Sequence, residues 1–134
     1  TPVALVAGFA FAAQLCDKES AAHMEGCRAI KRTFLKAIQG MNYTLNGDQE
    51  HCLPSTVNSS FHGVDAEGIF LAVKEDYAFS KGSACNPGSH TPSYVLTPMG
   101  LDEARVSEAI RLSWNHDTKV DFSVLVNYIK SMTD

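Results

Sequence analysis

The order of periodic segments along this chain predicts an α+β fold, a short sheet covered by helices. Three observations predict it. Helical periodicities fill the first forty residues and the C-terminal end, and short strand-like runs bounded by turn residues fall between them. Those runs mostly lack the two-residue signals that would join them as hairpins of an all-β fold.

The elements follow in order. Val3 to Leu15 holds no breaker except Gly8 and reads as a buried helix. From Lys18 to Gln39 the apolar residues Met24, Cys27, Ile30, Phe34, Leu35 and Ile38 recur at steps of three and four. With Arg28, Lys31, Arg32 and Lys36 among them, they describe an amphipathic helix packed on one face, and Gly40 supplies its stop. Met41 to Leu45 reads as a short strand ended by Asn46-Gly47-Asp48, and Thr56 to Phe61 as a second, followed by Gly63. Asp65 is placed to cap a helix through Ile69, Phe70, Ala72 and Val73. Asp76 to Ser80 reads as a brief strand, and Pro92 as the start of a short helix over Ser93 to Met99 that Gly100 stops. Ser107 to Trp114 reads as a strand with Ile110 and Leu112 on one face, which turns Arg111 to the other. Val120 to Met132 carries Val124, Leu125, Tyr128, Ile129 and Met132 at helical spacing.

Composition narrows the function. At 134 residues and 45% hydrophobic, the chain suffices for one domain with a real core. A net charge of −4 without a basic cluster argues against direct, charge-driven nucleic-acid binding. No apolar run reaches the length of a membrane span, and the apolar stretch from Pro2 to Leu15 lacks the basic start and small-residue cleavage pattern of a signal peptide. The chain opens on Thr-Pro-Val without an initiator methionine and reads as a piece of something longer.

The cysteines, Cys16, Cys27, Cys52 and Cys85, permit disulfides without demanding them, and no Cys-x-x-Cys spacing occurs. His23 and Cys27 would share a helix face, but no metal site is expected; Cys16 and Cys27 read as small buried hydrophobes. Without a disulfide framework the expected compartment is the cytoplasm.

Cys85 stands apart. Residues 80–92, Ser-Lys-Gly-Ser-Ala-Cys-Asn-Pro-Gly-Ser-His-Thr-Pro, contain two glycines, two prolines and three serines, the composition of a loop. A thiol on a polar loop suits a cysteine that must be reached, and only its thiolate is a good nucleophile.

Several motifs in register resemble one family. Ser-x-Gly-Ser-Ala-Cys is followed by Pro92-Ser93-Tyr94-Val95-Leu96 and then Met99-Gly100-Leu101. Upstream stand Leu45-Asn46-Gly47-Asp48 with Glu50-His51, and Leu53-Pro54 with Val57-Asn58-Ser59-Ser60-Phe61; downstream stands Ala109-Ile110-Arg111-Leu112-Ser113. Together these resemble, from about Val3 to Met132, the small C-terminal domain of the NifS/IscS-like cysteine desulfurases of the long-loop class. The resemblance implies the aspartate-aminotransferase-like fold, class V of the pyridoxal-phosphate transferases. Residues 1–16 would then lead in as a buried helix from a large domain, and residues 17–134 would form the small domain with the cysteine loop at 80–92.

The resemblance also implies an activity: sulfur of L-cysteine passes to Cys85 as a persulfide, L-alanine leaves, and the sulfur goes on to an acceptor protein. Arg111 matches the arginine that grips the substrate α-carboxylate, a pairing suited to its planar fork. Asn58 matches a family asparagine and is a second substrate-binding candidate. The cofactor, pyridoxal 5′-phosphate, would be bound by the large domain through a lysine in a His-Lys motif, which this sequence lacks. The implied partners are that large domain, the acceptor and a second copy in a homodimer.

Lys81 before the loop glycine, Asn86-Pro87-Gly88 after the cysteine, and Trp114-Asn115-His116 after the arginine strand depart from the common pattern. With the end at Asp134, they are more similar to the specialised desulfurases of DNA phosphorothioation (DndA-like) than to the general iron–sulfur enzymes. Two other readings stand beside this one: another class V aminotransferase-like enzyme, and a non-catalytic sulfur-carrier module. His51 and His62 read as turn residues, and Trp114 as core or interface.

Overall fold

The computed structural model describes residues 2–81 and 93–133, with Lys81 described in its backbone alone. Its first element, α1 (Val3–Ala37), is one helix of 35 residues where the sequence predicts two. The hydrophobic pattern changes near Lys18, but no proline or turn cluster stands there, and a change of pattern does not break a helix. Only the second half of α1 reaches the core, through Cys27 and Phe34, with Ile38 just beyond its end. Gly40, at φ +83°, takes the left-handed conformation that stops the helix.

The expected burial of residues 3–15 is not met within this chain. Val3, Leu5, Val6, Phe9 and Phe11 are all exposed, because among the described residues nothing covers that half of α1. Cys16 is exposed as well, against expectation, whereas Cys27 is buried.

Among the described residues four antiparallel strands form a sheet in the order β1-β2-β4-β3: β1 (Tyr43–Leu45), β2 (Thr56–Phe61), β3 (Ser80–Lys81) and β4 (Ala109–Ser113). The register gives the sheet two unlike faces. Tyr43, Leu45, Val57, Phe61, Ile110 and Leu112 share one; Thr44, Thr56, Asn58, Ser60, Ser80, Arg111 and Ser113 share the other. The apolar face packs against Phe34 and Ile38, against Ile69 and Val73 of α2 (Ala66–Val73), and against Leu125, Val126 and Ile129 of α4 (Ser123–Thr133). Asp65 caps α2 as predicted, its carboxylate accepting the Gly68 N–H at 3.1 Å.

Three local expectations are corrected. Residues 93–99 form turns rather than a helix: Ser93 Oγ accepts the Val95 and Leu96 amides, and Pro98 has no amide to continue a ladder. A five-residue helix, α3 (Glu103–Ser107), which Asp102 caps by accepting the Arg105 N–H at 2.8 Å, ends on the first residue of the stretch read as strand, so that strand begins at Ala109. On α4 the buried face is Leu125, Val126 and Ile129, while Val124 and Met132 are exposed. Asp121 accepts the Ser123 amide and hydroxyl ahead of α4, bonds that hold its carboxyl below the ordinary 3.8.

A close approach fixes the rest of α1. The Trp114 indole donates to Cys27 O at 3.1 Å and Pro54 O at 3.0 Å, tying the end of β4 to the helix. Beside it the His23 and His116 rings stack, 3.7 Å between centroids. Gly26 makes this possible, since a Cβ there would lie 2.7 Å from the His116 carbonyl oxygen. Gly26→Ala is therefore expected to destabilise the protein by about 1–3 kcal/mol, although alanine favours helix by about 1 kcal/mol. A urea melt checks this, and an unchanged or raised midpoint would refute the contact.

Candidate functional site

The polar face of the sheet is the candidate site. Strand alternation aims Arg111 away from Ile110 and Leu112, which are buried while Arg111 is exposed. Register places Asn58 directly across from Arg111 on β2, and Ser80 directly across on β3. Facing Cβ atoms of an antiparallel pair lie about 4.5–5.5 Å apart, so the two sequence candidates Arg111 and Asn58 are neighbours on one surface. Arg111 forms no ion pair among the described residues, so a structural ion pair does not account for it. An exposed guanidinium keeps its hydration, so it can remain unpaired until an anion arrives.

Behind Asn58 lies a polar cluster that the sequence alone does not single out. Asn46 is 7% exposed, just past β1, and Ser60 is wholly buried on β2. Asn46 Nδ2 donates to Asn58 Oδ1 at 2.7 Å and to Ser60 Oγ at 2.9 Å. Arg105, on α3, donates its Nε–H to Asn46 Oδ1 at 2.8 Å, and Ser60 Oγ donates to Arg105 O at 2.7 Å. The only advance signal was that Asn46 belongs to the Leu-Asn-Gly-Asp motif. Nothing marked Arg105, 59 positions away.

His62 does more than turn the chain. Its Nδ1 lies 3.0 Å from Glu108 Oε2 and its Nε2 lies 2.7 Å from Thr44 Oγ1, while Glu108 Oε1 accepts the Gly63 N–H at 2.8 Å. The three side chains fasten β1, the end of β2 and the start of β4 at the sheet edge. His51 fits its expected turn role: Asp48 accepts the His51 and Glu50 amides and pairs with the His51 ring. The His51 amide bond leads in holding the Asp48 carboxyl below 3.8.

Cys85, the expected nucleophile, lies outside the described residues, as do Asn86, Pro87 and His90. Its place in the sequence is nonetheless fixed: five residues beyond Ser80, which sits across from Arg111.

The described residues do not fit a covalently held pyridoxal phosphate. No lysine of the sequence follows a histidine. Lys31 is engaged with Gln49 and Cys52 on α1's side. Among the described residues no cluster of three metal-ligating side chains occurs, and no helix is long and apolar enough to cross a membrane.

No protein-family model matches the chain. A cysteine desulfurase IscS from Escherichia coli O139:H28 is 35% identical over 127 residues, covering 92% of this chain and 31% of the relative. The crystal structure of DndA from Streptomyces lividans superposes with a TM-score of 0.60 at 33% identity, over 85% of this chain and 32% of that one. A NifS-like protein from Rickettsia africae matches in fold with a TM-score of 0.74 at 21% identity, over 96% of this chain and 34% of that one. The chain thus spans about a third of the length of the relatives it matches.

Proposed function

We infer, for a chain that belongs with the cysteine desulfurases as a C-terminal portion of one, that it supplies the sulfur-accepting thiol and the carboxylate grip of such an enzyme. The observation that carries this reading is the juxtaposition of Arg111, Asn58 and Ser80 across three strands, with Ser80 opening the segment that contains Cys85. Arg111 binds the α-carboxylate of L-cysteine with its two-pronged guanidinium and orients the substrate. Cys85, as thiolate, attacks the substrate sulfur. The overall change balances: a protein thiol and L-cysteine become a protein persulfide and L-alanine. Pyridoxal phosphate, which residues outside this chain would hold, would supply the electron sink that labilises the carbon–sulfur bond. The persulfide then passes to an acceptor protein; a DndA-like pathway draws support from the 33% identity to DndA. A cytoplasmic setting fits the chemistry, since reducing surroundings keep a nucleophilic cysteine as a free thiol rather than a disulfide.

Arg111→Lys tests the grip in the complete protein that contains this chain. A lysine keeps the charge but loses the fork, so the KM for L-cysteine is expected to rise about tenfold or more, with the melting temperature unchanged at this exposed position. An unchanged KM would remove Arg111 from substrate binding.

A further inference from the structure

We propose that Asn46 and Arg105 are positioning residues that fix which end of the Asn58 amide faces the site. Through them Asn58 offers two N–H donors, beside Arg111, to an amino-acid carboxylate. The proposal rests on the reading of Arg111 as the carboxylate grip.

Hydrogen-bond polarity carries the argument. A guanidinium has donors only, so the Asn46 atom 2.8 Å from Arg105 Nε has to be the oxygen. That sets the other end of Asn46 as Nδ2, whose two hydrogens reach Ser60 Oγ and the Asn58 side chain. Ser60 gives its own hydrogen to Arg105 O, so what it turns to Asn46 is a lone pair. The ring of bonds from Arg105 to Asn46 to Ser60 and back to Arg105 therefore has one self-consistent direction. Facing a donor, Asn58 has to present Oδ1 to Asn46 at 2.7 Å, which leaves its Nδ2 without a partner among the described residues.

Amide orientation is invisible in Asn58 alone, because the oxygen and nitrogen ends have the same shape. Here it is imposed from a side chain on α3. The consequence is chemical: a carboxylate accepts hydrogen bonds and donates none, so Nδ2 turned outward attracts it and Oδ1 turned outward would repel it. The backbone helps hold the arrangement, since Asn46 N–H also donates to Asn58 O at 2.9 Å. Arg105 has a second, longer bond to Leu45 O at 3.4 Å, which ties α3 to the end of β1.

The test is Asn46→Asp in the complete, cofactor-loaded protein. An aspartate still accepts from Arg105, but it has only acceptors to show Asn58, which then rotates to donate and turns its oxygen to the site. KM for L-cysteine is expected to rise about tenfold with kcat changed less than about twofold, and binding of unreactive L-alanine, by calorimetry, to weaken by the same factor. In an Asn58→Ala background, itself raised about tenfold in KM, Asn46→Asp is expected to add nothing, since it acts through Asn58. An unchanged KM in Asn58→Ala, or an Asn46→Asp effect that persists in that background, overturns the proposal. So does a loss of kcat with a lowered melting temperature, which marks a purely structural role. If these variants are silent while Arg111→Lys raises KM, the positioning proposal alone fails. If Arg111→Lys is silent too, the reading beneath it fails.

Discussion

Replacing Cys85 with serine is expected to lower the release of L-alanine from L-cysteine by at least about 10³-fold in the complete protein. Serine is nearly the same size, so the substitution removes the nucleophile and little else. An alcohol stays protonated near neutrality, whereas a thiol of ordinary pKa near 8.5 has a few per cent of thiolate available. A sulfur atom accepted on serine would also lack the stable sulfur–sulfur bond that a persulfide provides. The assay discriminates between the readings for the whole enzyme. A transaminase needs no thiol to receive sulfur, so transamination that survives in Cys85→Ser, with no desulfurase activity in the unmodified protein, would replace the present account with the aminotransferase one. Alanine release that is undiminished in the variant would leave Cys85 without a role in the reaction.

Phe34→Ala carries the largest expected effect on stability. Phe34 has no solvent exposure, and its ring meets Phe122 edge-on at 5.1 Å and tilts against Trp114 at 6.4 Å. It is one of the residues through which α1 is held to the sheet and to the segment before α4. Truncation leaves a cavity between three elements that cannot all close on it, so a loss of about 3–5 kcal/mol is expected. Total stabilities of domains are about 5–15 kcal/mol, so such a loss is a large fraction of the whole. Val124, exposed on α4, serves as the contrast: Val124→Ala should stay within about 0.5 kcal/mol. Comparable urea midpoints for the two variants would contradict the packing described here.

Local rules account for what could be read in advance. The Thr56–Phe61 strand has the limits the sequence predicts, because Gly63 and the preceding proline-containing turn bound it on both sides. Asp65 caps its helix because an aspartate ahead of an apolar run has an unpaired amide three residues on. Arg111 faces away from Ile110 and Leu112 because alternation in a strand leaves no other choice. What the sequence hid depends on distance or on absent neighbours. The link between Asn46 and Arg105 arises only when strand pairing brings β1, β2 and α3 together. The side chains of the first half of α1 have the composition of buried ones, and composition cannot say whether the burying surface belongs to the same chain. Residues 93–99 keep helical spacing, but Pro98 and the Ser93 hydroxyl divert the backbone into turns.

The central claim is that this chain receives sulfur on Cys85 from L-cysteine. Intact mass of every chain in the purified complete protein, after brief exposure to L-cysteine, tests it most directly. The account predicts one added sulfur on the polypeptide that carries this sequence, lost on treatment with a reductant and absent in Cys85→Ser. No added sulfur on a protein that holds pyridoxal phosphate and consumes L-cysteine, or an added sulfur that persists in Cys85→Ser, would contradict it.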